Sequence, residues 1–541
     1  MTDLWYKNAI FYGVDIKTFC DSNGDGFGDL AGLTGKLDYF SDLGVDCLWL
    51  LPFYGSPLAD NGYDISDHCA INPRFGSFAD FDHLIEEASR RGLRVLIDLV
   101  TNHTSDQHPW FQRARRDPSS RYRDYYVWSN EPVELPGTKP IFPGAEDSVW
   151  EYDDMAGQYY LHRFYCFEPD LDTFNPDVCA EILQIMEFWL RRGVDGFRID
   201  AAPYLVRPKG ARPAPNGDRF QLFYEMRGLL ASYRPDGFLL GEADVNLQKI
   251  DEMFGDDGDR LTGIFNFLLT NETFLALARQ QAAPLERLCR NLPAVPPNCQ
   301  WAGFLRNLDE LDLERLTEAE RDEVYEIFAP DEQMRIYKRG IRRRLAPLLD
   351  GDRDRIVSAF SLLCALPGTP LIVYGDEIGM GENLRLEQRN SVRTPMQWDA
   401  SPNAGFSTAD PDDLILPVID DGPFRYQVVN IASQCSDPNS LLNQIKSIFA
   451  IRKACPEIGC GTYDLLSGSH PHVLMTRFAH QGRSVITAHN LSAEPQCVPL
   501  DIGAPVMSLL SDPESGYANG RVQLGRYGYL WLRERTNVAT S

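Results

Sequence analysis

The chain has no excess of positive charge, no long apolar run and no ordered cysteine pattern, and each absence removes a class of function. Its formal net charge is −26 over 541 residues. Such a chain repels nucleic acid and anionic lipid, and no basic patch argues otherwise; the ordinary role of this acidity is solubility. No stretch is long and apolar enough to span a bilayer. The opening residues Met1-Thr2-Asp3-Leu4-Trp5-Tyr6 lack the basic and apolar regions of a signal peptide, so a cytoplasmic protein is expected. The 12 cysteines include no CxxC pair and no recurring spacing, which points away from zinc. Cys47 and Cys364 lie in apolar runs, as buried reduced thiols do. No short repeat marks a solenoid.

What is present is a globular composition, 43% hydrophobic and 11% aromatic, with a rhythm of apolar β-type runs and helical patterns. Eight runs read as strands: 10–14, 45–50, 95–100, 196–199, 238–240, 263–265, 301–305 and 370–374. Helical patterns at 78–91 and 179–192 separate some of them. Eight β/α units predict a closed (β/α)8 TIM barrel, in which crossovers cover the outside of a parallel sheet. Residues 104–172, rich in Pro, Asp, Tyr and Trp, are too long for a simple loop and read as an inserted subdomain after strand three. A second insertion, from Glu310 to about Arg344, follows strand seven; Thr317-Glu318-Ala319-Glu320 there fits a capping box. After a helix at 440–453 the pattern turns to β alternation. The expected domains are therefore a barrel at 1–103 and 173–455, the insertion at 104–172, and an antiparallel β domain at 456–541.

Three of the apolar runs end in a carboxylate: Asp200 after Gly196-Phe197-Arg198-Ile199, Glu242 after Leu240-Gly241, and Asp309 after Phe304-Leu305-Arg306-Asn307-Leu308. Splitting a glycosidic bond with retention needs a nucleophilic carboxylate and an acid/base carboxyl about 5–5.5 Å apart. Strand ends around a barrel bring together acids that are distant in sequence. Arg198 lies two residues before Asp200, on the same face of its strand, where a cation favours the ionised nucleophile. Glu242 must instead hold a proton, which needs a less polar setting.

These motifs, with Asp98-Leu99-Val100-Thr101-Asn102-His103 at strand three and Val392-Arg393-Thr394-Pro395-Met396-Gln397-Trp398, resemble the α-amylase family of glycoside hydrolases, in its oligo-1,6-glucosidase and trehalose synthase branch. The stretch 340–349 is similar to trehalose synthases in particular. The resemblance covers nearly the whole chain. It implies Asp200 as nucleophile, Glu242 as acid/base and Asp309 as the acid that steadies the distorted sugar. It also implies Asp60 and Tyr63 gripping the terminal glucose, His103 hydrogen-bonding the same sugar, and Arg393 pairing with Asp60 at the blind end of the pocket. Asp21-Ser22-Asn23-Gly24-Asp25-Gly26-Phe27-Gly28-Asp29 is an oxygen-rich, EF-hand-like loop. By the resemblance Asp21, Asn23, Asp25, Asp29 and the Phe27 carbonyl would hold a structural Ca²⁺.

Two positions depart from the family pattern. Leu308 stands where His usually precedes the third Asp, and Glu168 opens Glu168-Pro169-Asp170-Leu171-Asp172 where relatives commonly have Gln-Pro-Asp-Leu-Asn. Leu cannot donate the hydrogen bond that His gives a sugar hydroxyl near C2 or C3, a loss on the order of 1–3 kcal/mol if that hydroxyl is left buried and unpaired. This suggests either reduced efficiency or a donor altered at C2 or C3, with Leu308 as an apolar wall and Glu168 as a new acceptor. The resemblance implies a trehalose synthase-like enzyme that transfers or isomerises a small α-linked disaccharide or glucoside through a covalent glycosyl-Asp intermediate, with retaining exo-hydrolysis as the alternative. A carbohydrate-binding protein without catalysis is the rival from another class. No organic cofactor is implied, and the sequence leaves a homo-oligomer open.

Overall fold

The computed structural model describes residues 4–135, 138–210, 212–466, 470–502 and 505–534. Eight parallel strands close into a barrel: β1 (Phe11–Val14), β2 (Cys47–Leu50), β3 (Arg94–Leu99), β4 (Gly196–Ile199), β5 (Phe238–Gly241), β6 (Gly263–Phe265), β7 (Gln300–Phe304) and β8 (Thr369–Val373). Neighbours in sequence are neighbours in space, and β1 closes onto β8. Each strand falls within two residues of its expected run, because a strand buried on both faces must be continuously apolar. Gly196 permits the closest strand approach: a Cβ there would meet the Phe238 carbonyl oxygen at 2.0 Å.

Helices cover the barrel with the caps their sequences encode. The helix Phe78–Arg90 opens with a reciprocal capping box between Ser77 and Asp80. The helix Pro176–Arg191 starts on an Asn175 cap with Pro in its first turn. It buries Trp189 against Phe53 and Phe81, with ring centroids 5.4 and 5.1 Å away.

The inserted subdomain leaves after β3 and returns before β4, carrying strands Trp128–Ser129, Trp150–Asp153 and Gln158–Leu161. Its neck is closed by a bridge between His103 and Asp170, and by the Leu171 amide donating to the Asn102 carbonyl at 2.8 Å. The second insertion carries the helix Glu318–Phe328, with both bonds of the Thr317/Glu320 capping box, beside a small sheet of Leu311–Asp312, Gly340–Ile341 and Arg335–Ile336.

The C-terminal region begins with a short helix, Pro456–Cys460, which β alternation does not signal, and then forms antiparallel sheets of five and three strands. It has its own apolar core, including Val473, Ile486, Val498, Val522 and Leu530. Ser361 of a barrel helix contacts His489 Nε2 and Trp531 Nε1, each at 3.0 Å, and so ties this region to the barrel. Among the described residues every cysteine is a free thiol, and no helix is long and apolar enough to cross a membrane.

Candidate active site

The C-terminal ends of the strands open into a cavity of about 710 Å³. Asp200, Glu242 and Asp309 all line it, with Asp60, Tyr63, His103 and Arg198. Of the expected catalytic and sugar-binding residues, only Glu168, Leu308 and Arg393 are not on its wall.

Parallel register places Asp98 of β3 beside Arg198 of β4. Arg198 is enclosed and divides its guanidinium among three acids: Nη1 lies 2.6 Å from Asp98 and 2.5 Å from Asp200, and Nη2 lies 2.8 Å from Glu242. Asp98 is held on its other oxygen by Trp49 Nε1 at 3.1 Å and Tyr63 Oη at 3.3 Å. Beyond Asp200 the chain turns sharply, with Ala201 in the left-handed region at φ 48°. That turn sends the Ala201 amide to Glu242 Oε2 at 3.1 Å and locks the ends of β4 and β5 together.

Burial pushes the Asp200 carboxyl up to about 6; Arg198 pulls it down and Asp98 pushes it up again. Arg198 therefore limits the rise at Asp200 without reversing it, because one cation is shared by three acids. Burial likewise lifts Glu242 to about 7, against the pull of Arg198. Although 23% of the Glu242 side chain faces the cavity, the protein around it still strips away much of its water. Of the two acids Glu242 keeps its proton to the higher pH, the order that a nucleophile and an acid/base require.

Asp309 behaves oppositely. Burial pushes its carboxyl up, but Arg389 and Arg393, aided by Arg198 and Arg306, outweigh burial and leave it below its usual value. Arg393 Nη2 lies 2.7 Å and Arg389 Nη1 3.1 Å from the same oxygen. This corrects the expected pairing of Arg393 with Asp60. Arg393 is bound by Asp309 and by the Leu308 carbonyl, 2.9 Å from its Nε. Asp60 keeps its place on the cavity wall, where burial raises its carboxyl and Arg389 and Arg393 act on it only at longer range.

Leu308 and Glu168 are also corrected. Leu308 has φ 72°, so the chain reverses there: Asn307 and Asp309 line the cavity, while Leu308 is 2% exposed and packs into the core. It is not a wall of the cavity. Glu168 is fully enclosed behind His103 and is likewise not on the cavity surface.

Sequence reasoning missed Arg389, whose only signal was its position four residues before Arg393. Its Nε also holds Glu310 at 3.0 Å, and its guanidinium lies 4.7 Å from the centre of the Phe142 ring. Above it the two insertions meet. Tyr165 Oη of the subdomain lies 3.2 Å from Tyr337 Oη, and Phe142 packs on Tyr337 with ring centroids 4.7 Å apart. Arg339 Nη1 reaches back to the Ile141 carbonyl at 2.7 Å.

Two clusters of oxygen ligands have the composition of a cation site. Asp244, Asp312 and Glu314 converge on the cavity wall, but Arg315 holds Asp244 at 2.6 Å and Arg339 holds Asp312 at 2.7 Å. In the loop 21–29, Asp21 accepts the amides of Asn23, Gly24 and Gly26, Asn23 accepts that of Asp25, and Asp25 accepts that of Phe27. Asp29 binds Ser22 and caps the helix Leu30–Thr34. The donors are all oxygens, but their carboxylates are engaged in the loop's own turns.

A trehalose synthase/amylase TreS of Mycobacterium tuberculosis is 41% identical over 98% of this chain and 91% of its own. An oligo-1,6-glucosidase of Heyndrickxia coagulans is 33% identical over 90% of this chain and 92% of its own. The crystal structure of the trehalulose synthase MutB from Pseudomonas mesoacidophila superposes with a TM-score of 0.79 at 28% identity, covering 98% of this chain and 99% of that one. The alpha-amylase catalytic-domain model matches residues 15–327 and 337–461. The chain belongs to the α-amylase family and is one of its enzymes.

Proposed function

We propose that the protein is a retaining α-glucosyl-transferring enzyme that interconverts maltose and trehalose. In this reading a carboxylate oxygen of Asp200 attacks the anomeric carbon while Glu242 gives its proton to the departing glycosidic oxygen. The freed glucose turns in place, and its anomeric hydroxyl attacks the glycosyl–Asp200 ester as Glu242 takes the proton back. Asp309, kept ionised by two arginines, steadies the positive charge that develops on the ring. Asp60 and Tyr63 bind the terminal glucose. A single guanidinium touching both Asp200 and Glu242 supports the short separation that retention requires.

One observation carries the choice of transfer over hydrolysis: Phe142 of the subdomain and Tyr337 of the second insertion both line the cavity and pack on each other, with Tyr165 Oη against Tyr337 Oη, an enclosure that favours keeping the freed sugar and excluding water. The names of the trehalose synthase relatives agree. The test is anomer-resolved NMR of purified protein with maltose. Trehalose accumulating with little free glucose supports the proposal; glucose released as the main product, first as the α-anomer, makes the enzyme a retaining hydrolase. The ground for a donor altered at C2 or C3 falls away with Leu308 and Glu168 off the cavity wall.

We also propose structural Ca²⁺ in the loop 21–29. The carboxyl oxygens of Asp21, Asp25 and Asp29 keep lone pairs beyond those used in turns, and an all-oxygen set suits a hard cation. The ion would brace the loop after β1. A melting temperature that falls on chelation and recovers with Ca²⁺ supports this, and one indifferent to both refutes it.

A further inference from the structure

Behind the cavity wall lies a buried pair that the mechanism above does not use. His103 Nε2 and Glu168 Oε1 are 3.8 Å apart, both enclosed, and neither has a hydrogen-bond partner among the described residues. Such groups are costly unless something satisfies them.

The surroundings fix the imidazole's proton. Lys209 Nζ is 2.5 Å from Asn102 Oδ1 and 3.0 Å from the Asn102 carbonyl. An ammonium can only donate, so Oδ1 is the acceptor and Nδ2 faces the other way. There Nδ2 lies 3.3 Å from Asp170 Oδ1 and 3.4 Å from His103 Nδ1. An amide NH₂ donates, so this contact favours a bare Nδ1 and a neutral ring with its hydrogen on Nε2, against the Tyr63 carbonyl, which accepts from the charged ring. That N–H lies on the Glu168 side of a ring that also lines the cavity. The second Glu168 oxygen accepts the Tyr165 amide at 3.2 Å.

From this arrangement we infer that Glu168 is a positioning residue: protonated, it leaves the His103 Nε2–H free for a hydroxyl of the bound sugar, and ionised, it draws that N–H away. The inference rests on the proposed role of His103 at the sugar. The charged groups around the pair are consistent with it. Burial, then Asp60, Asp64 and Asp200, push the Glu168 carboxyl well above the usual carboxylate range. Burial brings His103 down to about 4; Asp170 and the Tyr63 carbonyl favour its charged form, while Lys209 and His68 oppose it. The ring therefore stays neutral while Glu168 titrates. Sugar affinity should fall as pH rises through the Glu168 transition.

The test is the KM and kcat of maltose turnover against pH for the natural protein and Glu168→Gln, with ¹⁵N-histidine NMR of both, His103 being assigned by its loss in His103→Asn. In the natural protein KM should rise roughly 3- to 10-fold across the transition, the worth of one hydrogen bond. In Glu168→Gln KM should be flat, with the kcat profile set by Asp200 and Glu242 retained. NMR should find Nδ1 bare and Nε2 protonated, with a pH-dependent Nε2 shift that Glu168→Gln abolishes. Protonated Nδ1, or the same KM profile in both proteins, overturns the inference. If maltose is not turned over, the functional reading fails, and the Nε2 titration in the natural protein still decides whether Glu168 controls the ring. Should Glu168→Gln not fold, that titration alone is decisive: a pH-independent Nε2 overturns the proposal.

Discussion

The two halves of the carboxylate site are both largely enclosed and opposite in charge tendency. Around Arg198 one guanidinium serves Asp98, Asp200 and Glu242, and the latter two are pushed up. Around Asp309 two guanidiniums converge on one oxygen, and the acid is pushed down. Burial is common to both corners; the ratio of cations to anions differs. A protein can thus set one acid permanently ionised beside two that exchange protons near neutrality without altering their depth.

The comparison can be broken most severely at the shared guanidinium. Asp200→Asn removes the proposed nucleophile, and turnover should collapse; retained activity in a steady-state assay would falsify the triad. Glu242→Gln should lower kcat by roughly 10²–10⁴-fold, the usual worth of general acid–base catalysis. Arg393→Met should cost about 3–5 kcal/mol in denaturant unfolding, since it strips a buried carboxylate of its enclosed partner. A loss below about 1 kcal/mol would mean that Arg389 alone suffices.

The pH profile sharpens the contrast. The proposed mechanism requires ionised Asp200 and protonated Glu242, so kcat/KM should rise through about 6 and fall through about 7. These are apparent values of a coupled pair. For folding the signs oppose. Asp309 sits below its unfolded value near 3.8, so its contribution is full above that pH and is lost as pH falls through the lower folded value. Asp200 and Glu242 sit above their unfolded values of 3.8 and 4.5, so theirs is present below those values and lost as pH rises through about 6 and 7. Asp200→Asn should therefore make the protein more resistant to denaturant at pH 8 but not at pH 4.

The smallest expected effect concerns the roof. Tyr337→Ala removes its contact with Tyr165 and Phe142, and the share of free glucose among products of maltose should rise several-fold with little change in the rate of maltose loss. An unchanged product ratio would show that the roof does not retain the sugar.

Asp200 and Glu242 were legible because each directly follows its barrel strand, and Asp309 because its loop leaves the end of β7; the apolar runs preceding them mark the strands. The Arg393–Asp309 pair was not. Arg393 lies in a loop after β8, and its choice between Asp60 and Asp309 depends on a few ångströms of approach that no spacing encodes. Leu308 shows the same limit: its composition suggested an apolar wall, whereas a left-handed φ turned the chain and put its side chain into the core.

The sequence by itself determined the barrel, its two insertions, the strand ends carrying the acids and the caps of the principal helices. Apolar periodicity and local capping chemistry act over a few residues, and eight such units have one good way to close. Only the tertiary structure decided which arginine meets which acid, that Glu168 stands behind His103, and that Tyr165 meets Tyr337 above the cavity. Those outcomes rest on distances between segments tens to hundreds of residues apart, where burial and charge balance are properties of the assembled site.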